Sequence, residues 1–345
     1  MAANDQYDYI PSSILVTGGL GFIGSHVVIH LARYFPDYRI IVLDKLDSCA
    51  SRRNLHSVEN RVKIIIGDIL SRDLINHILA EYKIDTVMHF AAQTHVDNSF
   101  DNSLSFTENN VMGTHNLLEA ATHSLKNGGV KINRFIHVST DEVYGETNEI
   151  RQEDMILTPT NPYAASKAAA EHIVRSYYNS FNLPIIISRG NNVYGPHQYP
   201  EKLIPKFINR LMRNLPCCIH GNGSNSRSFI YVSDAVNAFI TLLHNGEVGE
   251  TYNIASEFEI SNLAVAKDLI KLMKSNKTEN HIEFVEDRRF NDRRYKIDGH
   301  KLRNLGWTSN IEWFAGLALT IKWYKDNINY WPEIESALKP HPNIK

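Results

Sequence analysis

The sequence predicts an α/β protein: a doubly wound parallel sheet, with a smaller α/β lobe supplied by the C-terminal half. Three observations predict it. Short aliphatic runs alternate with longer stretches of helical spacing up to Arg189, and the connections are long enough for crossovers. A glycine turn joins the first run to the first helical stretch. After Arg189 the alternation yields to the loop-like Asn191–Pro200, rich in Asn, Gly, Pro and Tyr.

The chain has 345 residues, enough for a large core and two lobes. Its apolar content of 43% is ordinary for a globular protein. A net charge of −2 gives no support for a nucleic-acid or membrane-surface partner. The three cysteines, Cys49, Cys217 and Cys218, are odd in number and two are adjacent, which favours a reducing compartment. The start, Met1–Ile10, is acidic and lacks the apolar segment of a signal peptide. No apolar run approaches the roughly 20 residues that span a bilayer. A soluble, cytoplasmic protein is expected, with no metal site.

Ser13–Thr17 reads as a short buried strand. It runs into Gly18-Gly-Leu-Gly21-Phe-Ile-Gly24 and then a helix with Ile23, Val27 and Leu31 on one face. In that context Gly18 permits a tight turn, Gly21 lets the backbone approach a pyrophosphate, and Gly24 lets helix and strand pack. The N–H groups and dipole at the helix start favour phosphate. This is a Rossmann-type, dinucleotide-binding start. Arg39–Asp44 is the second strand, and Asp44 lies about 20 residues after Gly24, where a ribose-binding acid belongs. A carboxylate there accepts bonds from the ribose diol and repels a 2′-phosphate, so NAD is preferred to NADP despite Lys45. The alternative is a solvated strand-end Asp. Val62–Asp68 is the third strand, with Asp68 and Ile69 suited to the adenine side. Ser71–Tyr82 reads as a helix and Asp85–Ala92 as a fourth strand, whose Ala91 and Ala92 leave room for a flat cofactor. Asn102–Leu125 carries one long helical pattern.

Arg134–Val138 is a buried strand that delivers Ser139, Thr140, Asp141 and Glu142 to the carboxyl edge of the sheet, where open α/β folds bind ligands. Two adjacent carboxylates serve as an acid and a base if their surroundings push their pKa values apart. The alternative is a polar cap on the turn that follows. Thr158–Pro162 breaks structure, and Tyr163 opens a helix to about Phe181. Tyr163 and Lys167 share one face, one turn apart. A phenol is a poor base at neutral pH. A nearby ammonium, or a positively charged nicotinamide, lowers its pKa. Alone, such a Tyr/Lys pair is common surface decoration; behind a dinucleotide fingerprint it reads as a proton acceptor for a sugar hydroxyl.

Leu183–Arg189 is a further buried strand. Leu203–Arg213 and Ser261–Lys274 read as helices, and Arg227–Val232 with the helix from Asp234 as a return to the first lobe. Residues 12–190 are assigned to the dinucleotide lobe, with returning segments near 227–255 and 308–328. Residues 191–226 and 256–307 form the second lobe, and 1–11 and 333–345 are tails.

Taken together, Thr17-Gly-Gly-x-Gly-x-x-Gly24, Tyr163-x-x-x-Lys167 and Thr140-Asp141-Glu142 resemble the extended short-chain dehydrogenase/reductase family, and within it the nucleotide-sugar 4,6-dehydratases. The resemblance runs from Ile14 to the tail. Val42–Asp47, His89–Phe100, Arg189–Pro196 and Pro200–Phe207 are most similar to the dehydratase part of plant UDP-rhamnose synthases. It implies an NAD-dependent lyase acting on one bound sugar. Tyr163 takes the C4 hydroxyl proton as NAD takes the hydride, with Thr140 on the same oxygen. Glu142 removes the C5 proton and Asp141 protonates the departing C6 hydroxyl. The hydride then returns to C6. Related epimerases lack the Asp-Glu pair. It also places Gly18, Gly21, Phe22, Ile23, Gly24, Asp44, Lys45, Asp68, Ile69, Ala91, Ala92, Asn110, Ser139, Tyr163 and Lys167 against the cofactor. Substrate contacts fall to His95, Asn192, Glu201, Lys202, Leu203, Arg227, Asn253, Arg288 and Asn291. The Arg288-Arg-Phe-Asn291-Asp292 loop has Asn where the bacterial dTDP-glucose enzymes typically have His, and this resemblance favours UDP-glucose. Arg289 replaces the Pro of that UDP-sugar branch. The resemblance further implies a homodimer joined through helices near 103–125 and 163–181. The competing readings are a dTDP-glucose 4,6-dehydratase and, in another class, a catalytically idle NAD-sensing protein.

Overall fold

A computed structural model describes residues 7–274, 281–287, 291–332 and 334–340. The first part of the chain forms β1 (Ser13–Thr17), α1 (Phe22–Tyr34), β2 (Arg39–Asp44), β3 (Val62–Ile66), α2 (Arg72–Glu81) and β4 (Thr86–His89). It continues with α3 (Val96–Asp101), α4 (Ser103–Phe106), α5 (Gly113–Thr122), β5 (Arg134–Thr140), α6 (Pro162–Phe181) and β6 (Ile185–Gly190). Then come β7 (Asn192–Tyr194), α7 (Leu203–Met212), β8 (Cys217–His220), β9 (Ser226–Tyr231), α8 (Val232–Asn245) and β10 (Thr251–Ile254). The last elements are β11 (Glu259–Ser261), α9 (Asn262–Lys274), β12 (Ile282–Val285), α10 (His300–Arg303), α11 (Trp313–Asp326) and α12 (Glu335–Leu338).

Seven strands form a parallel sheet in the order β3-β2-β1-β4-β5-β6-β10. Strand alternation divides their side chains between two cores. Ile14, Val16, Ile40 and Val42 pack with α1 and α8 on one side. Leu15, Ile41 and Leu43 pack with Ile75, Ile78, Leu117, Leu118 and Val174 of α2, α5 and α6 on the other. Each such side chain, fully buried, contributes about 1.5–3 kcal/mol. The strand order reverses between β1 and β4, which opens a crevice at their carboxyl ends. His89 stitches this centre together, with Nδ1 2.7 Å from Thr17 Oγ1 and Nε2 2.9 Å from Thr114 Oγ1.

Three expectations differ from the structure. The helical pattern of 102–125 is not one α-helix: a π-turn, Thr107–Met112, separates α4 from α5 and turns Asn109 and Asn110 into the interior. Arg227–Val232 does not join the large sheet. Its strand pairs with β7 and β11 in a separate three-stranded sheet, and the return is made by α8 and β10. Residues 308–328 do not return either. In α11, Trp313, Leu317 and Ile321 meet Phe207 and Leu211 of α7 and Val265 and Leu269 of α9 in the second lobe's core. An apolar helix face goes wherever an apolar partner is offered, and chain order does not say where that is. Among the described residues, no helix is long and apolar enough to cross a membrane.

Candidate active site

The crevice opens into a cavity of about 580 Å³ that lies between the two lobes. Its floor is the glycine turn. Gly18 has φ +68°, and a Cβ there would stand 2.6 Å from Ala91 N; a Cβ on Gly24 would stand 2.4 Å from Gly18 O. These close approaches admit only glycine. The first turn of α1 has no side-chain cap and no acidic residue, so its N–H groups suit an anion. Asp44 does more than end β2. Its Oδ2 accepts from Leu20 N at 3.0 Å and its Oδ1 from Leu46 N at 2.8 Å, tying the glycine turn to the strand. Burial raises its pKa and these two N–H groups oppose the rise.

At the end of β5, Thr140 accepts from Glu142 N at 3.3 Å and so caps the turn Asp141–Tyr144. The cap is therefore Thr140, which frees the two carboxylates for other contacts. Asn191 Nδ2 donates to Asp141 Oδ2 at 2.7 Å and Thr140 Oγ1 to its Oδ1 at 3.2 Å. Asn161 Nδ2 donates to Glu142 Oε2 at 3.1 Å. Burial, then the Glu142 charge, pushes the Asp141 carboxyl up to about 7. Burial raises Glu142 as well, but the Arg227 charge and the Asn161 hydrogen bond restrain it. Neighbouring carboxyls thus differ because their partners differ.

Tyr163 and Lys167 face this pair from α6. Asn161 Oδ1 accepts from Ala164 N at 2.8 Å and Pro162 follows it, a strong helix start. One asparagine therefore fixes both the Tyr163 helix and Glu142. The expected lowering of the phenol by Lys167 does not occur in the protein alone. Burial and the Glu142 charge push Tyr163 upward, and a Thr140 hydrogen bond opposes them. The Lys167 ammonium donates to Val138 O at 2.6 Å, and burial lowers it to about 8.

Of the sequence-derived residues, Gly18, Gly21, Phe22, Ile23, Gly24, Asp44, Lys45, Asp68, Ile69, Ala91, Ala92, Ser139, Thr140, Glu142, Tyr163 and Lys167 line the cavity. So do His95, Asn192, Glu201, Lys202, Leu203, Arg227 and Asn291. Four do not fit this way. Asp141, 3% exposed, lies behind Thr140 and Asn191. Asn110 is buried behind the wall, bonded to Gln93 N at 2.7 Å and Ser166 Oγ at 2.9 Å, and Asn109 takes the lining position. Asn253, 0% exposed, is spent on Tyr144 Oη and Arg151 O, so it is a core residue and not a ligand contact. Arg288 lies outside the described residues. Sequence reading missed Asn161, Asn191, Asp292 and Tyr295. Only Asn161 had a signal, as an Asn-Pro helix start directly before Tyr163.

Residues 15–320 match the GDP-mannose 4,6 dehydratase family. The chain belongs to that family. It is 52% identical over 342 residues to a trifunctional UDP-glucose 4,6-dehydratase/UDP-4-keto-6-deoxy-D-glucose 3,5-epimerase/UDP-4-keto-L-rhamnose-reductase of Arabidopsis thaliana, covering 97% of this chain and 50% of that protein. The chain thus spans about half the length of the first relatives it matches. It is 47% identical over 336 residues to the human dTDP-D-glucose 4,6-dehydratase, covering 95% of this chain and 94% of that one. The crystal structure of DesIV, a dTDP-glucose 4,6-dehydratase from Streptomyces venezuelae solved with NAD bound, superposes with a TM-score of 0.88 at 37% identity, covering 94% of this chain and all of that one. A UDP-glucose 4-epimerase from Thermotoga maritima gives 0.83 at 28% identity, covering 92% of this chain and 100% of that one. The backbone is shared across reactions, and side chains must separate them.

Proposed function

We propose that this chain is an NAD-dependent nucleotide-sugar 4,6-dehydratase that converts UDP-glucose to UDP-4-keto-6-deoxyglucose and water, the first step toward a UDP-rhamnose-type deoxysugar. The observation that carries the reading is the convergence of Thr140, Glu142, Tyr163 and Lys167 on one cavity, with Asp141 directly behind Thr140. The residues present suit NAD: a cradle that a Cβ would fill at Gly18 and Gly24, Asp44 on the cavity wall at the end of β2, and a buried Ser139 hydroxyl on the wall with no partner among the described residues. When bound, NAD would supply a hydride acceptor for C4 and a positive charge that opposes the upward shift of the Tyr163 phenol in its oxidised form, and a hydride donor for C6 in the reduced form so produced.

The chain's own groups do the proton work. Tyr163 Oη takes the proton of the C4 hydroxyl, and Thr140 Oγ1 orients that oxygen. The resulting ketone acidifies C5. Glu142, on the cavity wall, takes the C5 proton. Asp141 still holds a proton near neutrality and, lying behind Thr140, passes it to the Thr140 hydroxyl as that hydroxyl gives its own to the departing C6 hydroxyl, which leaves as water. Arg227 and Lys202 oppose the diphosphate charge, and His95, Asn192, Glu201, Leu203 and Asn291 shape the wall around the nucleotide.

The UDP preference rests on Asn291 and on the Arabidopsis relatives. The human relative, matched over nearly its whole length, supports dTDP-glucose as the second reading. We take the enzyme to be cytoplasmic and homodimeric; Leu104 of α4 and Phe181 of α6 stand exposed on the helices of the expected interface. The test is incubation of the purified protein with UDP-glucose and dTDP-glucose separately. A 4-keto-6-deoxy product from UDP-glucose is expected. Product from dTDP-glucose alone favours the second reading, and bound NAD without product from either favours a sensor.

A further inference from the structure

We propose that Tyr295 and Asp292, which line the same cavity as Glu142, form a proton relay that carries the proton taken from the sugar off Glu142. The proposal rests on the reading of Glu142 as the C5 base. The Tyr295 hydroxyl stands between two carboxylates. It hydrogen-bonds Asp292 Oδ2 closely, and its oxygen lies 3.4 Å from Glu142 Oε2. A phenol has one proton for these two acceptors. With that proton on the Asp292 side, the oxygen turns a lone pair toward Glu142. That contact becomes a hydrogen bond only when Glu142 carries a proton, which is the state left by C5 deprotonation.

Asp292 is built to receive what Tyr295 passes on. It is buried, and the Thr160 hydroxyl reaches both of its oxygens, at 2.9 and 2.8 Å. Among the described residues no cation lies within ion-pair distance of it, and the Thr160 and Tyr295 hydroxyls that donate to it are neutral. The Asp292 charge also favours a proton on Glu142, which couples the two ends. Burial and the Glu142 charge keep Tyr295 a phenol, suited to passing a proton and not to acting as a base itself. The Arg227 guanidinium lies 4.7 Å from the ring centroid and fixes the ring, and Asn161 holds Glu142 from its other side.

The transfer balances. The O–H bond of protonated Glu142 breaks as one forms at Tyr295 Oη, and the original Tyr295 proton bonds to Asp292 Oδ2. Glu142 returns to a carboxylate, Asp292 becomes a carboxylic acid, and nothing is oxidised or reduced. The proton that later returns to C5 is then drawn from an exchanged pool.

The test is the isotope at C5 of the 4-keto-6-deoxy product formed in D2O, read by NMR and mass spectrometry with whichever of UDP-glucose and dTDP-glucose is turned over. Wild-type product should carry deuterium at C5. Tyr295→Phe and Asp292→Asn should lose that deuterium and retain the substrate's own C5 protium, however slowly product forms. A purely structural role would change kcat or KM and leave the isotope content alone. Wild-type-like deuterium in either folded variant overturns the relay, as does protium retention by the wild type. If Glu142→Gln still forms product deuterated at C5, the base assignment itself fails. If no substrate gives product, the dehydratase reading fails. Should one relay variant not fold, the other decides.

Discussion

Asp141 and Glu142 are adjacent in the chain yet meet different partners, and their chemistry follows from that. The fold holds a proton on Asp141 up to about pH 7, whereas an unfolded chain releases it near 4. Between these values the folded state binds more protons, so raising the pH across the window removes stability and has no further effect above it. Asp141→Asn lacks this loss. Its melting temperature relative to wild type should therefore rise from pH 5 to pH 8, as thermal melts at the two pH values would reveal; an unchanging gap contradicts the raised pKa. Tyr163→Phe removes one hydroxyl from a helix that Asn161 and Pro162 start independently. It should fold normally and lose about 10²–10⁴-fold in kcat, read as slower nicotinamide reduction on mixing with substrate. Wild-type turnover would assign the C4 base elsewhere.

At the level of elements, the glycine turn and α5 invite the same substitution with different outcomes. A methyl on Gly24 meets the Gly18 carbonyl at 2.4 Å, and neither backbone can retreat. Gly24→Ala should cost about 1–3 kcal/mol in a denaturant melt and weaken NAD retention as the turn opens. A methyl on Gly113 also meets its neighbour at 2.4 Å, but that neighbour is Ile69 Cδ1, the tip of a side chain that can rotate. Gly113→Ala should be milder than Gly24→Ala. Equal losses would show that backbone contact is not what makes Gly24 obligatory.

A cavity lies between the sheet edge and the second lobe, and in the proposed reaction the cofactor regains its starting state within each turnover. NAD should therefore copurify with the protein. Denatured enzyme that releases NADP in its place would remove the role given to Asp44. Selectivity belongs to the same scale, since it depends on the second lobe reaching the nucleotide base. UDP-glucose should give the higher kcat/KM, but a thymine methyl alone is worth only about 1–3 kcal/mol, so the preference is bounded at roughly 10–200-fold. Equal efficiencies for the two sugars would reject it.

Local rules made much of this protein legible in its sequence. Ser13–Thr17 and Arg39–Asp44 could be bounded to the residue, because fully buried parallel strands are continuous apolar runs with sharp polar ends. The glycine turn, Asp44, Glu142 and the Tyr163/Lys167 helix could be named because each depends on spacing within one segment. Tertiary structure decided what depends on segments distant in the chain. It placed β9 in a separate sheet with β7 and β11 and sent α11 to the second lobe's core, because apolar faces choose partners by position in space. It buried Asn253 against Tyr144 and placed Asn109, not Asn110, on the wall, because a π-turn shifts the helix face by an amount no periodicity announces. It pushed the Tyr163 phenol upward, because burial and a carboxylate from another element act on it there. And it brought Tyr295 and Asp292 to Glu142 across about half the chain, a juxtaposition that exists only once the second lobe has folded onto the first.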